Sequence, residues 1–260
     1  NVDITALDQM QTRLRRAERL ATLGQVAAGI AHEIRNPLVG IGSTTSLLLD
    51  DIDSSDGRRR DLEVILQETK RLDRIVNQII DYARPREILA RPFDMVQLVQ
   101  EVAKVLDEPL VRKQATLQLL APEPPYCLHA DRDQFKQVLL NVIQNAVEAT
   151  PPDRPITVAL AQLAHGAEQG LEIAVTDQGH GISPAHLPHV FEPFFTSGKP
   201  RGTGLGLAIC RNILDAHGGD MTLESEVDQG TTVRLWCPLQ QQPLRMQEEE
   251  SHAGHNLRHG

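Results

Sequence analysis

The chain has 260 residues, more than one ordinary domain needs, and 40% hydrophobic with 23% charged residues is the composition of a folded globular protein. Only 3% of residues are aromatic, so the cores are aliphatic, and a net charge of -9 with a pI near 5.6 excludes the basic footprint of a nucleic-acid-binding protein. Cys127, Cys210 and Cys237 fall in no disulfide or metal spacing, and there is neither a signal peptide nor an apolar run of about 18 residues, which reads as a reduced, soluble, cytoplasmic chain.

Residues 1–25 place Leu7, Met10, Leu14, Ala17 and Ala21 at heptad-like intervals with charged residues between them, which predicts a coiled coil. A heptad seam needs a partner, so a homodimer is expected. The chain starts without Met inside this helical pattern and reads as a fragment; any membrane anchoring of its parent would come through the missing upstream region. Leu20, Leu23, Ala27, Ile30, Ile34 and Ile41 continue as one helix face. His32 lies about 200° around from Ile30 and points to solvent. Glu33 adjoins it, and Asn36 sits one turn on, on the same side. Pro37 removes an amide donor and crowds the Glu33 carbonyl, which predicts a bend.

A lone helical histidine is most often an ordinary surface residue. A zinc site of the HExxH kind is excluded, because Asn36 stands where the second histidine belongs. A neutral imidazole is nevertheless a nucleophile near neutral pH, and a neighbouring carboxylate can take up its other proton as positive charge develops. After the turn at 50–56 a second helix, about Arg58–Ala83, carries Leu62, Ile65, Thr69, Leu72, Val76 and Ile79 in a 3-4 alternation. Two such helices per chain, doubled, give a four-helix bundle.

Residues 84–92, RPREILARP, hold two prolines and no periodicity and read as a linker. A helix at about 94–112, short strands at 116–121 and 126–130, and a long helix at 131–150 follow. That long helix buries Phe135, Val138, Leu139, Val142, Ala146 and Ala149 and displays Asn141, Asn145 and Glu148 opposite. Strands at 156–162 and 171–176 flank a predicted loop with His165 and two glycines. A helix at about 205–217 and a hairpin of 221–226 with 231–236 complete an α+β sandwich with helices on one sheet face. The tail at 240–260 has no pattern and reads as disordered; its His252, His255 and His259 are taken as solvated.

Four stretches in this second half need one explanation. Asn141 and Asn145 at i and i+4 offer hard amide oxygens suited to a magnesium ion that keeps phosphates and waters. Asp177 at a strand end can accept an exocyclic amine of adenine, and Gly179 and Gly181 allow close backbone approach. Phe191, Phe194 and Phe195 precede the polar, glycine-rich segment 197–203, which reads as a mobile lid in which Lys199 and Arg201 reach phosphates. Gly202, Thr203, Gly204, Leu205 and Gly206 open an apolar helix whose freed amides make an anion site. No Walker A loop occurs.

The sequence AHEIRNPL resembles the H-box of the sensor histidine kinases of two-component signalling. The four later stretches resemble, in order and spacing, the N, G1, F and G2 boxes of their ATP-binding domain, the Bergerat fold shared with gyrase, MutL and heat-shock chaperone ATPases. The likeness covers about 20–238. It implies a lead-in coiled coil at 1–25, a dimerisation and phosphotransfer domain at 26–84, a linker at 85–92, a catalytic domain at 93–239 and a tail at 240–260. It further implies that ATP with Mg2+ phosphorylates His32, with Glu33 as general base, and that the group passes to an aspartate of a response regulator receiver domain. Asn36 would position water for the reverse, phosphatase reaction. Asn145 would be the principal magnesium ligand with Asn141 assisting, Asp177 the adenine contact, and 202–206 the phosphate-side lid. The HEIRNPL form, FEPFFTS and the short lid look most like the nitrogen-regulation type. An ATP-driven clamp of the MutL or gyrase kind is disfavoured, since it needs a hydrolytic Glu where Asn141 stands; a nucleotide-binding scaffold without phosphotransfer is disfavoured by His32, Glu33 and Asn145.

Overall fold

The computed structural model describes residues 33–53, 55–83, 87–122, 126–166, 168–196 and 202–239. The coiled coil expected at 1–25, His32, the lid cations Lys199 and Arg201, and the tail at 240–260 lie outside them.

Helix α1 covers 33–51 and continues through Pro37, Gly40 and Gly42 without a break; α2 is Arg58–Ala83. The two run antiparallel. Arg35 Nη2 donates to Asn77 Oδ1 at 2.7 Å near one end, and Arg59 Nη1 reaches the Leu49 carbonyl at 3.1 Å near the other. Between them Gly42 faces the Thr69 methyl. Two helices cannot cover their own apolar stripes: Leu38 and Val76 are buried, yet Ile34, Ile41, Leu47, Ile65 and Leu72 remain exposed.

The second half begins within the expected linker, because Arg91 and Pro92 already belong to strand β1 (Arg91–Asp94), which pairs antiparallel with β3 (Cys127–Ala130). The helix expected at 94–112 is two: α3 (Met95–Val105) and α4 (Asp107–Lys113). Pro109 explains the break, since it has no amide to give the Val105 carbonyl. The remaining elements are β2 (Thr116–Leu120), α5 (Arg132–Ala149), β4 (Pro155–His165), β5 (Glu168–Asp177), α6 (Gly206–Ala216), β6 (Asp220–Glu226) and β7 (Gly230–Pro238).

The main sheet has the order β2-β4-β5-β7-β6, parallel between β2 and β4 and antiparallel elsewhere. Alternation puts Ile156, Val158 and Leu160 of β4, Leu171, Ile173 and Val175 of β5, and Val233 and Leu235 of β7 into one core with the buried stripes of α5 and α6. The β4–β5 hairpin is longer than its sequence pattern indicated, pairing as far as His165 with Glu168. Gly170 sits inside β5 rather than in a loop, because the Trp236 indole occupies its side-chain position: a Cβ there would lie 2.2 Å from the ring. His165 stacks on the other end of this arrangement, 4.6 Å from the Trp236 ring centre.

One carboxylate fastens several of these parts. Asp131 Oδ1 accepts the amides of Asp133 and Gln134 as the N-cap of α5, each at 3.1 Å, and Oδ2 accepts the Leu89 amide of the linker at 3.0 Å. The Asp131 amide in turn donates to His217 Nε2 at 3.1 Å, while His217 Nδ1 donates to the Ile213 carbonyl at 2.8 Å. Burial works against ionisation of the Asp131 carboxyl, but the amides of Leu89, Gln134 and Asp133 outweigh it and hold the group below its ordinary 3.8.

A group whose native pKa is depressed stabilises the fold above the unfolded value and ceases to do so as pH falls through the native one. Asp131→Ala is therefore expected to cost about 2 kcal/mol at neutral pH, as a lost N-cap plus a lost tie to Leu89. The difference from wild type in urea unfolding should shrink between pH 4 and pH 3 and below; a difference that does not change with pH would mean that the carboxylate charge is not what Asp131 contributes.

Candidate functional site

The site is built by the ends of α5, β5 and α6. On α5, Asn141 and Asn145 are half-buried and Glu148 is exposed, one helix face as the i, i+4 spacing requires. The Asn141 amide nitrogen points at α6, 3.4 Å from the Gly206 carbonyl and 3.7 Å from Cys210 Sγ, and the thiol lies 3.8 Å from the Val138 carbonyl. With its nitrogen so engaged, the Asn141 oxygen is left to face away from α6. Burial pushes the Cys210 thiol up to about 12, so it serves here as a neutral packing and hydrogen-bonding group.

Asp177 ends β5 with only 6% exposure, and its Oδ1 accepts the Gly179 amide at 2.8 Å and the Thr231 amide at 3.3 Å. The loop after it is threaded through spaces only glycine fits. A Cβ on Gly179 would meet the Ala149 carbonyl at 2.7 Å, and one on Gly181, at φ +65, would lie 1.9 Å from the Glu226 carbonyl oxygen. Ser225 completes the brace, accepting the Ile182 amide and donating to the Gly230 carbonyl, both at 2.8 Å.

The three phenylalanines do not share one role. Phe191 packs on the core with the Arg211 guanidinium 5.0 Å from its ring centre. Phe195 is half-buried among His186 and His189. Phe194 is 61% exposed at a φ of 65, and its amide donates to the Gly204 carbonyl at 3.0 Å. Gly204, at φ +68, lies against this same backbone, so the two ends of the lid segment meet there.

α6 begins at Gly206 with no side-chain cap, whereas α3 and α5 are capped by Asp94 and Asp131. A helix start of that kind presents backbone N–H groups suited to an anion. Thr203 accepts the Leu205 amide at 3.4 Å and donates its own proton to Gln78 Oε1 of α2 at 2.8 Å. The structure thus brings Asn141, Asp177, Gly179, Gly181 and residues 202–206 around one region between α5 and α6. Glu33 and Asn36 are exposed on α1, far from that region in the sequence.

Sequence reasoning missed Gln78, Cys210, Arg211 and Ser225. Gln78 and Ser225 lie outside every motif, and no periodicity marks residues whose partners, Thr203 and Ile182, come from other elements far along the chain.

Residues 22–88 match the model of the His Kinase A (phospho-acceptor) domain, and 130–241 that of the histidine kinase-, DNA gyrase B- and HSP90-like ATPase. The sensor histidine kinase ZraS of Escherichia coli (strain K12) is 33% identical over 230 residues, 88% of this chain and 48% of that protein. The chain therefore spans about half the length of the curated relatives it matches. Among solved structures, full-length ShkA in complex with AMPPNP is 25% identical with a TM-score of 0.71, over 82% of this chain and 45% of that one. Histidine kinase ThkA in complex with the response regulator protein TrrA is 30% identical with a TM-score of 0.62, over 91% of this chain and 68% of that one.

Two outcomes are expected from this geometry. A thiol reagent on the native protein should modify Cys127, which is exposed, and spare Cys210 and Cys237, which are buried with both thiols pushed up to about 12; all three should react after denaturation. Rapid modification of Cys210 in the native state would contradict the packing of α6 on α5. Gly181→Ala should abolish binding of a fluorescent ATP analogue, because the Glu226 backbone has to move to admit the methyl group.

Proposed function

The chain belongs to the histidine kinases, and from that membership we propose that it is the core of an ATP-dependent, autophosphorylating sensor kinase acting on His32. The observation that carries the reading is the convergence of Asn141, Asp177 and its glycine loop, and the uncapped start of α6 on one region. Adenine is placed against Asp177, whose carboxylate suits an exocyclic amine, and the phosphates against the amides of 204–206. Asn145, with Asn141 assisting, would hold Mg2+; two amide oxygens one turn apart fit a hard ion that shares its sphere with phosphates and water. When bound, the ion neutralises charge on the phosphate oxygens.

His32 attacks the γ-phosphorus in line, the bond to the bridging oxygen breaks, and ADP leaves. Glu33 takes the imidazole proton released as the N–P bond forms. Lys199 and Arg201 are assigned to the phosphates. The phosphoryl group then passes to an aspartate of a receiver domain docked on the helical hairpin, and Asn36 would orient water for hydrolysis of that acyl phosphate. The ThkA structure contains its response regulator, which supports a partner of this class.

The exposed Ile34, Ile41, Leu47, Ile65 and Leu72 support a homodimeric four-helix bundle, because each chain has only half of such a core. We place this region in the cytoplasm, where ATP and receiver domains are found; among the described residues no helix is long and apolar enough to cross a membrane. Placement with the nitrogen-regulation type rests on HEIRNPL, FEPFFTS and the short lid. Domain limits at 26–84 and, because β1 starts at Arg91, at 91–239 instead of 93–239 are part of the same proposal.

Incubation with Mg2+ and γ-labelled ATP should give a label that is lost in acid and kept in alkali, and that falls to background in both His32→Gln and Asn145→Ala. Nucleotide binding without such a label would mean a scaffold; steady ATP hydrolysis without a phosphoprotein would mean an ATP-driven clamp.

A further inference from the structure

Gln78 and Asp81 lie three residues apart on α2 and so share a side of that helix. Both reach into the nucleotide domain: Gln78 Oε1 accepts the Thr203 hydroxyl at 2.8 Å, and Asp81 Oδ2 accepts Gln137 Nε2 of α5 at 3.1 Å. Next to them Tyr82 is 6% exposed and belongs to the same core cluster as α5 and α6. The neighbouring Asn77 is held by Arg35 of α1, three residues after the phospho-acceptor. The lid is therefore fastened to α2 at the level of the helix turn that follows His32.

We propose that Gln78 is a positioning residue that latches the nucleotide lid to the helical hairpin, and that ATP must break this latch to bind. The proposal deepens the kinase reading and rests on residues 202–206 being its phosphate side. A threonine hydroxyl has one proton, and phosphate oxygens only accept. While that proton is bonded to Gln78, Thr203 has nothing to donate to a phosphate. The Leu205 amide, which leans on the same hydroxyl oxygen at 3.4 Å, is likewise drawn away from the ligand. Coupling of this kind is reciprocal: the factor by which the latch weakens nucleotide binding is the factor by which bound nucleotide weakens docking of the domain on α2. Arrival of ATP then supplies the trigger that frees the domain to approach the acceptor histidine.

The test is calorimetric titration of the complete chain with Mg-ADP and Mg-AMPPNP. Gln78→Leu keeps the bulk of the side chain and removes its acceptor, and should tighten AMPPNP binding about two- to tenfold, the worth of one neutral hydrogen bond. Gln78→Glu, whose carboxylate still accepts, should bind no more tightly than wild type. In a Thr203→Val background, where no proton is contested, Gln78→Leu should change nothing further. Unchanged or weaker binding in Gln78→Leu, or the same gain without the Thr203 hydroxyl, overturns the latch. Tight nucleotide binding without any label on His32 would sink the catalytic reading and leave the latch result standing; no nucleotide binding by the wild type would overturn both.

Discussion

The Asp131 carboxylate is the constraint on which the nucleotide domain depends. One of its oxygens starts α5, the helix that carries Asn141 and Asn145, and the other holds the linker at Leu89. Its amide is accepted by His217, the residue that ends α6. The linker, α5 and α6 are thereby referred to one point, about 8% exposed and bonded on every side. Side chains that must meet a ligand within a few tenths of an ångström need such a common reference, because positional errors in α5 and α6 would otherwise be independent.

From that anchor the site is completed by absences as much as by side chains. Gly179, Gly181 and Gly230 let the Asp177 loop pass between the end of α5 and the β6–β7 turn, and the missing cap on α6 leaves its amides for an anion. Only a few polar groups then need to be specified, each turned by a neighbour: Asp177 by the amides it accepts, Asn141 by the Gly206 carbonyl and the Cys210 thiol. Thr203, beside Gly204, is turned in the same way by a residue from outside the domain, Gln78 of α2, which accepts its hydroxyl.

Much of this was legible in the sequence. The stripe of α5, with Phe135, Val138, Leu139 and Val142, and the glycine-bearing motifs after Asp177 and before Leu207 gave both the sandwich and the components of its site, since periodicity and backbone freedom are local properties. The break between α3 and α4 was written in Pro109, but an apolar stripe running through Leu98, Val102, Val105 and Leu106 masked it. The reach of the β4–β5 hairpin was not legible, because Gly170 looks like a turn residue until Trp236, far along the chain, is seen filling its place. Nor was Gln78, whose meaning comes only from the docking of α2 against the lid.

Gly170 and Trp236 form a peg and a socket on paired strands, each meaningless without the other. A larger residue at 170 evicts the indole, and a smaller one at 236 opens a void over two strands. The two positions are therefore coupled: a side chain at 170 calls for a smaller residue at 236, so the far end of the β5–β7 pair takes its shape from both strands at once.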